Sequence, residues 1–159
     1  MKAIKKLYIL ISPPCGGKTT WLNSNKDSLN NPFIFSTDDL IATMYPNIPY
    51  NKAWYMFDDK EGKKILREGL KDAVKNGDDI VVDRMNLRIK SRIYYLNSVG
   101  KKYQKIAIVF PWDKETFIER NEKRQLSENK YISLGVWEEC CTQYQIPTKE
   151  EGFDEIIFL

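Results

Sequence analysis

The sequence predicts an α/β fold with a five-stranded, mostly parallel sheet between helices. Three observations carry that prediction. Five short apolar runs, LYILIS, PFIFS, DIVVD, KIAIVFPW and EIIFL, recur along the 159 residues and alternate with segments of helical period. The first run is apolar at nearly every position, as expected of a strand buried on both faces. A Pro/Gly turn, SPPCGGK, joins that run to a polar helix. The length suits one domain, residues 1–159. A chain of this size buries roughly 68–70% of the surface it exposes when unfolded, enough for a proper core.

The elements follow in order. Residues 7–12 form the first strand, and a helix runs from about Lys18 to Asn25. Residues 32–36 form a second short strand that ends at Thr37-Asp38-Asp39. Residues 41–58, rich in aromatics, Pro and Asn, read as a helix start followed by an irregular insert. From Lys60 to Lys75 the apolar positions Ile65, Leu66, Leu70, Ala73 and Val74 fit an amphipathic helix, stopped by Asn76-Gly77. Residues 79–83 are a third strand and 88–100 a helix ending at glycine. Residues 105–112 are a fourth strand stopped by proline. A helix over 113–124, a polar break over 127–133, a helix over 133–144 and a last strand over 155–159 complete the chain.

Composition narrows the function classes. With 42% apolar and 30% charged residues, nothing favours disorder. The net charge of +3 permits an anionic ligand without demanding one. No apolar run approaches the roughly 18 residues of a membrane span. The start, MKAIKKLYILIS, mimics a secretory signal but runs into Pro-Pro-Cys-Gly-Gly-Lys with no A-x-A-like site. It is read as a buried strand, which places the protein in the cytoplasm. The three cysteines make no disulfide framework, and the absence of histidine argues against zinc and against Ser-His or Cys-His chemistry. A general base must then be a carboxylate or a lysine.

The stretch ILISPPCGGKTTW (residues 9–21) has the spacing of a phosphate-binding loop, Gly-x4-Gly-Lys-Ser/Thr, with Ser12 at the first glycine position. Backbone N–H groups in such a turn cradle phosphate oxygens, and the following helix adds positive potential. Pro14, Cys15, Gly16, Gly17, Lys18, Thr19 and Thr20 are therefore the expected nucleotide contacts. Lys18 would reach the β/γ phosphates and the Thr19 hydroxyl would bind Mg²⁺. Serine at position 12 is tolerable if its φ is negative. Cys15 reads as a small loop residue, with a reactive thiol near a helix N-terminus as the alternative.

Asp38 and Asp39 follow the second strand, where ligands gather in an open parallel sheet. A carboxylate there can take a proton from an attacking hydroxyl. Thr37 or Asp38 would equally serve as a helix N-cap. Asp83 ends the third strand, the position of a metal-orienting carboxylate, with strand-end capping as the plainer role.

Taken in order, SPPCGGKTTW, STDDL, VVDRMNL and Arg120-x-x-x-Arg124 resemble the kinase module of phage-type polynucleotide 5′-hydroxyl kinases, which animal polynucleotide kinases share. The closing stretch YQIPTKEEGFDEIIFL is similar to the tail of such kinases. The resemblance runs from about Lys5 to the C-terminus. It implies a P-loop kinase fold with strand order 2-3-1-4-5 and a small lid. It implies transfer of the γ-phosphate of ATP, with Mg²⁺, to the 5′-hydroxyl of DNA or RNA. Asp38 becomes the general base, Lys18 and Arg124 the charge-stabilising groups, and Arg120 with Arg124 the lid. Asp83 would orient the metal, and Asp38, Asp83, Arg84 and Asn86 would face the substrate. One departure stands out. Such kinases often carry an arginine three residues after the base, and here that residue is Ile41. Arg84, Arg88 or Lys52 could supply the missing charge.

The aromatic insert around Tyr45, Tyr50, Trp54, Tyr55 and Phe57 offers stacking surfaces beside the base, but most of these rings are expected to fill the core. Trp137 and Cys140-Cys141 read as a buried helix face. Three rival functions remain: a kinase of a small hydroxylated metabolite or nucleoside, a non-catalytic nucleotide-binding regulator, and a nucleic-acid-binding module. The oligomeric state is not legible in the sequence.

Overall fold

The computed structural model describes residues 3–159. Five strands, β1 (Lys5–Ile11), β2 (Phe33–Phe35), β3 (Ile80–Val82), β4 (Tyr103–Val109) and β5 (Glu155–Phe158), form one parallel sheet in the order β2-β3-β1-β4-β5. The all-parallel sheet and its strand order are those that the resemblance to P-loop kinases implies. In β1, Tyr8 pairs with Val81 on one side and Ile106 on the other.

The helices are α1 (Lys18–Asn25), α2 (Thr37–Met44), α3 (Tyr50–Met56), α4 (Asp59–Asn76), α5 (Ile89–Ser98), α6 (Lys114–Glu128) and α7 (Leu134–Thr142). Alternation along β1 splits the core in two. Leu7, Ile9 and Ile11 pack with Leu66 and Leu70 of α4 and Leu96 of α5. Leu10 packs on the other face with Leu22 of α1, Val81, Ile106 and Ile108. Such fully buried leucines each cost about 2–5 kcal/mol when truncated to alanine. Ile65 leaves the predicted apolar stripe: it is 38% exposed, because Leu66 and Leu70 already fill the face of α4 against the sheet.

Several boundaries differ from expectation; β1 spans Lys5–Ile11 where 7–12 is expected, and β4 spans Tyr103–Val109 where 105–112 is expected, stopping ahead of Pro111. The insert over 41–58 is ordered into the end of α2 and into α3, although α3 starts after Pro49 with no side-chain cap; only its neighbours are capped. Ser36 accepts from Asp39 N to start α2, and Asp58 accepts from Lys60 N and Glu61 N to start α4. The third strand is shorter than 79–83. Asp79 turns its buried carboxylate to Lys6 N (2.8 Å) and Asn30 N (2.7 Å), closing the sheet's lower end. Helix α6 runs four residues past 124 and stops at Asn129, whose left-handed conformation (φ 54°) ends it.

A buried ion pair ties the C-terminal region to the loop after β3. Arg92, fully buried, donates to Glu151 through Nε (2.8 Å) and Nη2 (3.1 Å). Its Nη1 donates to the carbonyls of Asn86 (3.0 Å) and Leu87 (3.1 Å). Glu151 also accepts from Thr148 N in a capping box.

Candidate active site

The loop after β1 sits where the chain order of the sheet reverses. From β1 the chain moves to β2 and β3 on one side, then crosses to β4 and β5 on the other. The crevice at such a switch point is where ligands bind in open α/β sheets. The strand ends on its two sides carry different chemistry.

The loop itself is built for anions. Cys15 (φ 63°) and Gly17 (φ 97°) take left-handed conformations in the turn from Pro14 to Gly17, which aims successive N–H groups to one side. Gly17 caps α1 with no side chain of its own. Ser12 is absent from the positive-φ residues, so serine is unstrained there. It is fully buried, and its hydroxyl donates to Pro13 O at 2.8 Å. That hydroxyl fills the space over Gly16: a Cβ at residue 16 would overlap Ser12 Oγ. Ser12 replaces the motif glycine, and Gly16 leaves room for it.

Lys18 opens α1 and lies among charges from several elements. Burial pulls its pKa below the usual lysine value, and Arg124 pulls the same way, while Asp83, Asp38 and Cys15 hold it up. Asp83 is raised by burial, opposed by Lys18 and reinforced by Asp39 and Asp38. Asp39 is raised by burial and by Asp38, opposed by Lys130. Carboxylates from the ends of β2 and β3 thus converge on the lysine of the loop.

Asp38 is not the helix cap that its sequence position allowed. Ser36 does that work, accepting from Asp39 N at 3.2 Å. Asp38 faces outward, and its Oδ1 accepts the Tyr50 hydroxyl at 2.6 Å. Burial and the bond to Asp38 push Tyr50 ionisation upward, so its phenol stays a donor. Tyr50 in turn carries Lys130 Nζ 4.5 Å from its ring centroid. In the sequence Tyr50 is one ring among several in an irregular insert, and Lys130 belongs to no motif. Spacing carries no signal for either, since these contacts join separate elements.

Arg120 and Arg124, the arginines expected to form a lid, reach the loop from α6. Arg120 Nη1 donates to Cys15 O (2.9 Å), and Arg124 Nη1 donates to Cys15 Sγ (2.9 Å). Both guanidinium groups are therefore held against the loop at Cys15. Beyond the loop, on the β4–β5 side, a cleft of about 410 Å³ is lined by Gly16, Gly17, Thr20, Trp21, Arg120 and Leu159 among others. Its size and mixed lining suit a small organic ligand.

Two expected substrate contacts fare differently. Arg84 is exposed at the end of β3, beside the buried Tyr95 phenol, on which its charge acts together with that of Arg67. Asn86 turns inward instead. It is buried with φ 50°, and its Nδ2 donates to Leu10 O (2.8 Å), Arg84 O (3.1 Å) and Val82 O (3.3 Å). Those carbonyls belong to the ends of β1 and β3, so Asn86 braces the crevice floor and is not aimed at an acceptor. Ile41 is fully buried, so its position in α2 cannot present a charge. The expectation that most of the insert's rings fill the core fails: Trp54 and Tyr55 are 51% and 89% exposed, and Tyr45, Tyr50 and Phe57 are only half-buried.

The oxygen donors suit Mg²⁺. Thr19 presents an exposed hydroxyl on the first turn of α1, and Asp83 lies within electrostatic reach of the neighbouring Lys18. Among the described residues no three His, Cys, Asp or Glu side chains form a metal-holding group. Mg²⁺ requires none, since it usually keeps several waters and binds through one or two protein oxygens plus phosphates.

Comparison with known proteins supplies the wider frame. A family model described as an AAA domain matches residues 7–147. Transcription factor bHLH140 of Arabidopsis thaliana is 24% identical over 161 residues, covering 99% of this chain and 16% of that protein. The chain thus spans about a sixth of the length of the curated relative it matches. A chain of the Pnkp1/Rnl/Hen1 RNA repair complex superposes with TM-score 0.71 at 20% identity, over 90% of this chain and 45% of that one. A fungal RNA kinase gives 0.60 at 21% identity, over 99% and 75%. A gluconokinase from Sinorhizobium meliloti 1021 gives 0.56 at 10% identity, over 99% and 83%. At these identities the likeness is one of fold.

Proposed function

This chain belongs to the AAA domain family, and from that premise we propose that it is an ATP- and Mg²⁺-dependent kinase of nucleic-acid 5′-hydroxyl ends, working in the cytoplasm. One observation carries the reading most. Asp38 is relieved of helix capping by Ser36, faces outward, and lies within electrostatic reach of Lys18 in the phosphate loop. A base within electrostatic reach of an anion cradle is what in-line phosphoryl transfer needs.

Pro14–Thr20 would hold the phosphates of ATP, and the cleft on the β4–β5 side would take its base. Asp38 takes the proton of the acceptor hydroxyl. The hydroxyl oxygen forms its bond to the γ-phosphorus as the bond to the ADP oxygen breaks. Lys18, Arg120 and Arg124 stabilise the charge that spreads over the transferring group, an effect that for a single arginine reaches roughly 10³–10⁵ in rate. Thr19 would hold Mg²⁺ and Asp83 would orient it, and the ion when bound would help neutralise the phosphates. Asp83 and Arg84 border the acceptor side, and Arg84 takes the role of the phosphate-holding arginine that Ile41 does not provide. Asn86 is left out of the acceptor contacts.

The buried Ile41 also favours a second reading, phosphorylation of a smaller acceptor such as a nucleoside or sugar. Labelled ATP offered with 5′-hydroxyl oligonucleotides of DNA and RNA, free nucleosides and sugar acids separates the two. Label on oligonucleotide 5′ ends is expected. Label on a small acceptor with silence on every oligonucleotide would replace the first reading with the second.

A further inference from the structure

Helix α3 places Trp54 and Tyr55 in water and leaves Tyr50 half-buried. Ala53 is buried along Tyr50–Met56, whereas Trp54, Tyr55 and Met56 are 51%, 89% and 49% exposed. Rings of this size dominate core energetics when buried, and a short helix with one alanine inside contributes little to the fold. Trp54 lies one helical turn after Tyr50, on the same side of α3. Their ring centroids are 6.2 Å apart, with planes inclined at 39°. The Tyr50 hydroxyl ends on Asp38 Oδ1, and Lys130 Nζ sits 4.5 Å from the Tyr50 ring centroid. The two rings therefore make a tilted slab that starts at the proposed base, carries a cation, and runs out into solvent.

We propose that the Tyr50–Trp54 slab is a nucleobase-stacking subsite for the 5′-terminal nucleotides of a single strand, and that the Tyr50 hydroxyl positions Asp38. The inference rests on the reading of this protein as a nucleic-acid 5′-kinase. Every base has a π face, so stacking on aromatic rings beside cationic groups holds single strands whatever their sequence. A sugar or polyol has no such face, and the slab is of no use to it. Asp38 has two carboxylate oxygens. The phenol holds Oδ1, which leaves Oδ2 to receive the acceptor proton. Tyr50 thereby joins strand binding to orientation of the base, and Trp54 extends the grip by one ring.

Steady-state kinetics with a single-stranded 5′-hydroxyl oligonucleotide test both halves. Trp54→Ala should raise the acceptor KM roughly 5- to 150-fold and leave the ATP KM in place, and Trp54→Phe should restore most of the loss. Tyr50→Phe keeps the ring and removes the hydroxyl, so its loss should fall on kcat, with acceptor KM changed less than about twofold. Oligonucleotide binding should quench tryptophan emission in the wild type and much less in Trp54→Phe. If the wild type phosphorylates oligonucleotides while Trp54→Ala matches it in acceptor KM and quenching, the slab is refuted and the 5′-kinase reading stands. If Tyr50→Phe keeps its kcat, the positioning role is refuted. If the wild type phosphorylates only small acceptors, the 5′-kinase reading falls and takes the slab with it.

Discussion

Gly16→Ala tests the phosphate loop at the point where this chain departs from the usual motif. A Cβ at residue 16 would overlap Ser12 Oγ, lie 2.9 Å from Ser12 Cβ and lie 3.2 Å from Pro13 O. The backbone at Gly16 is not in the left-handed region, so alanine meets a steric obstacle and no conformational one. Rotation of the Ser12 side chain relieves the overlap with Oγ but not the approach to Cβ. Ser12 is fully buried, so it has little room to move. The loop must shift. Forcing a methyl group into a packed position costs about 1–3 kcal/mol. If the bound form of the loop bears all of that, ATP binds roughly 5- to 150-fold more weakly. Ser12→Gly removes both offending atoms and leaves the Pro13 carbonyl. Titration calorimetry with ATP on the wild type, the two single variants and the double variant measures the coupling between the sites. Gly16→Ala should lose affinity, Ser12→Gly/Gly16→Ala should recover most of it, and melting curves should show all four proteins folded. Wild-type affinity in Gly16→Ala, or no rescue in the double variant, would refute the claim that Ser12 is what excludes a side chain at residue 16.

Other expected outcomes follow from the charges around Lys18 and from the buried ion pair. Asp38→Asn should lower kcat by about 10²–10⁴ while the ATP KM holds, which single-turnover assays with labelled ATP would resolve. Burial raises the Asp83 carboxyl above 3.8. The stability linked to its proton is thus fully present below 3.8 and is lost as pH rises through the raised folded value. Asp83→Asn should therefore melt higher than the wild type at pH 7, with a shallower fall of Tm as pH climbs out of the acid range. Arg92→Ala strands Glu151, which is 4% exposed. Breaking a buried pair in this way costs about 3–5 kcal/mol, readable in urea unfolding, and Arg92→Lys should recover only part because lysine lacks the forked donors.

The parts of the site that lie close together along the chain are legible in the sequence. Apolar runs and helical periods act over a few residues, and they define five strands with the phosphate loop after the first. Gly16, Gly17, Lys18 and Thr19 share one turn, so their spacing between a buried strand and a helix is enough to suggest an anion cradle. Asp38 and Asp83 are legible too, because carboxylates just past buried strands of a parallel sheet must lie along one edge of it. The helix boundary at Ser36 is harder to read, since Ser36, Thr37 and Asp38 are all good caps and only the folded backbone selects among them.

What spans distance in sequence was decided by docking of the elements. Arg120 and Arg124 meet Cys15 across 105 and 109 residues, Tyr50 meets Asp38 across 12, and Arg92 meets Glu151 across 59. No local propensity encodes such pairs, because they depend on the angle at which each helix packs on the sheet. Burial is likewise a property of the assembled whole. Ile41 and Trp54 are both apolar residues of the same stretch of chain, yet one is sealed in the core and the other is half in water. Amino-acid type sets the cost of exposing a side chain, and only the packed neighbours determine whether that cost is incurred.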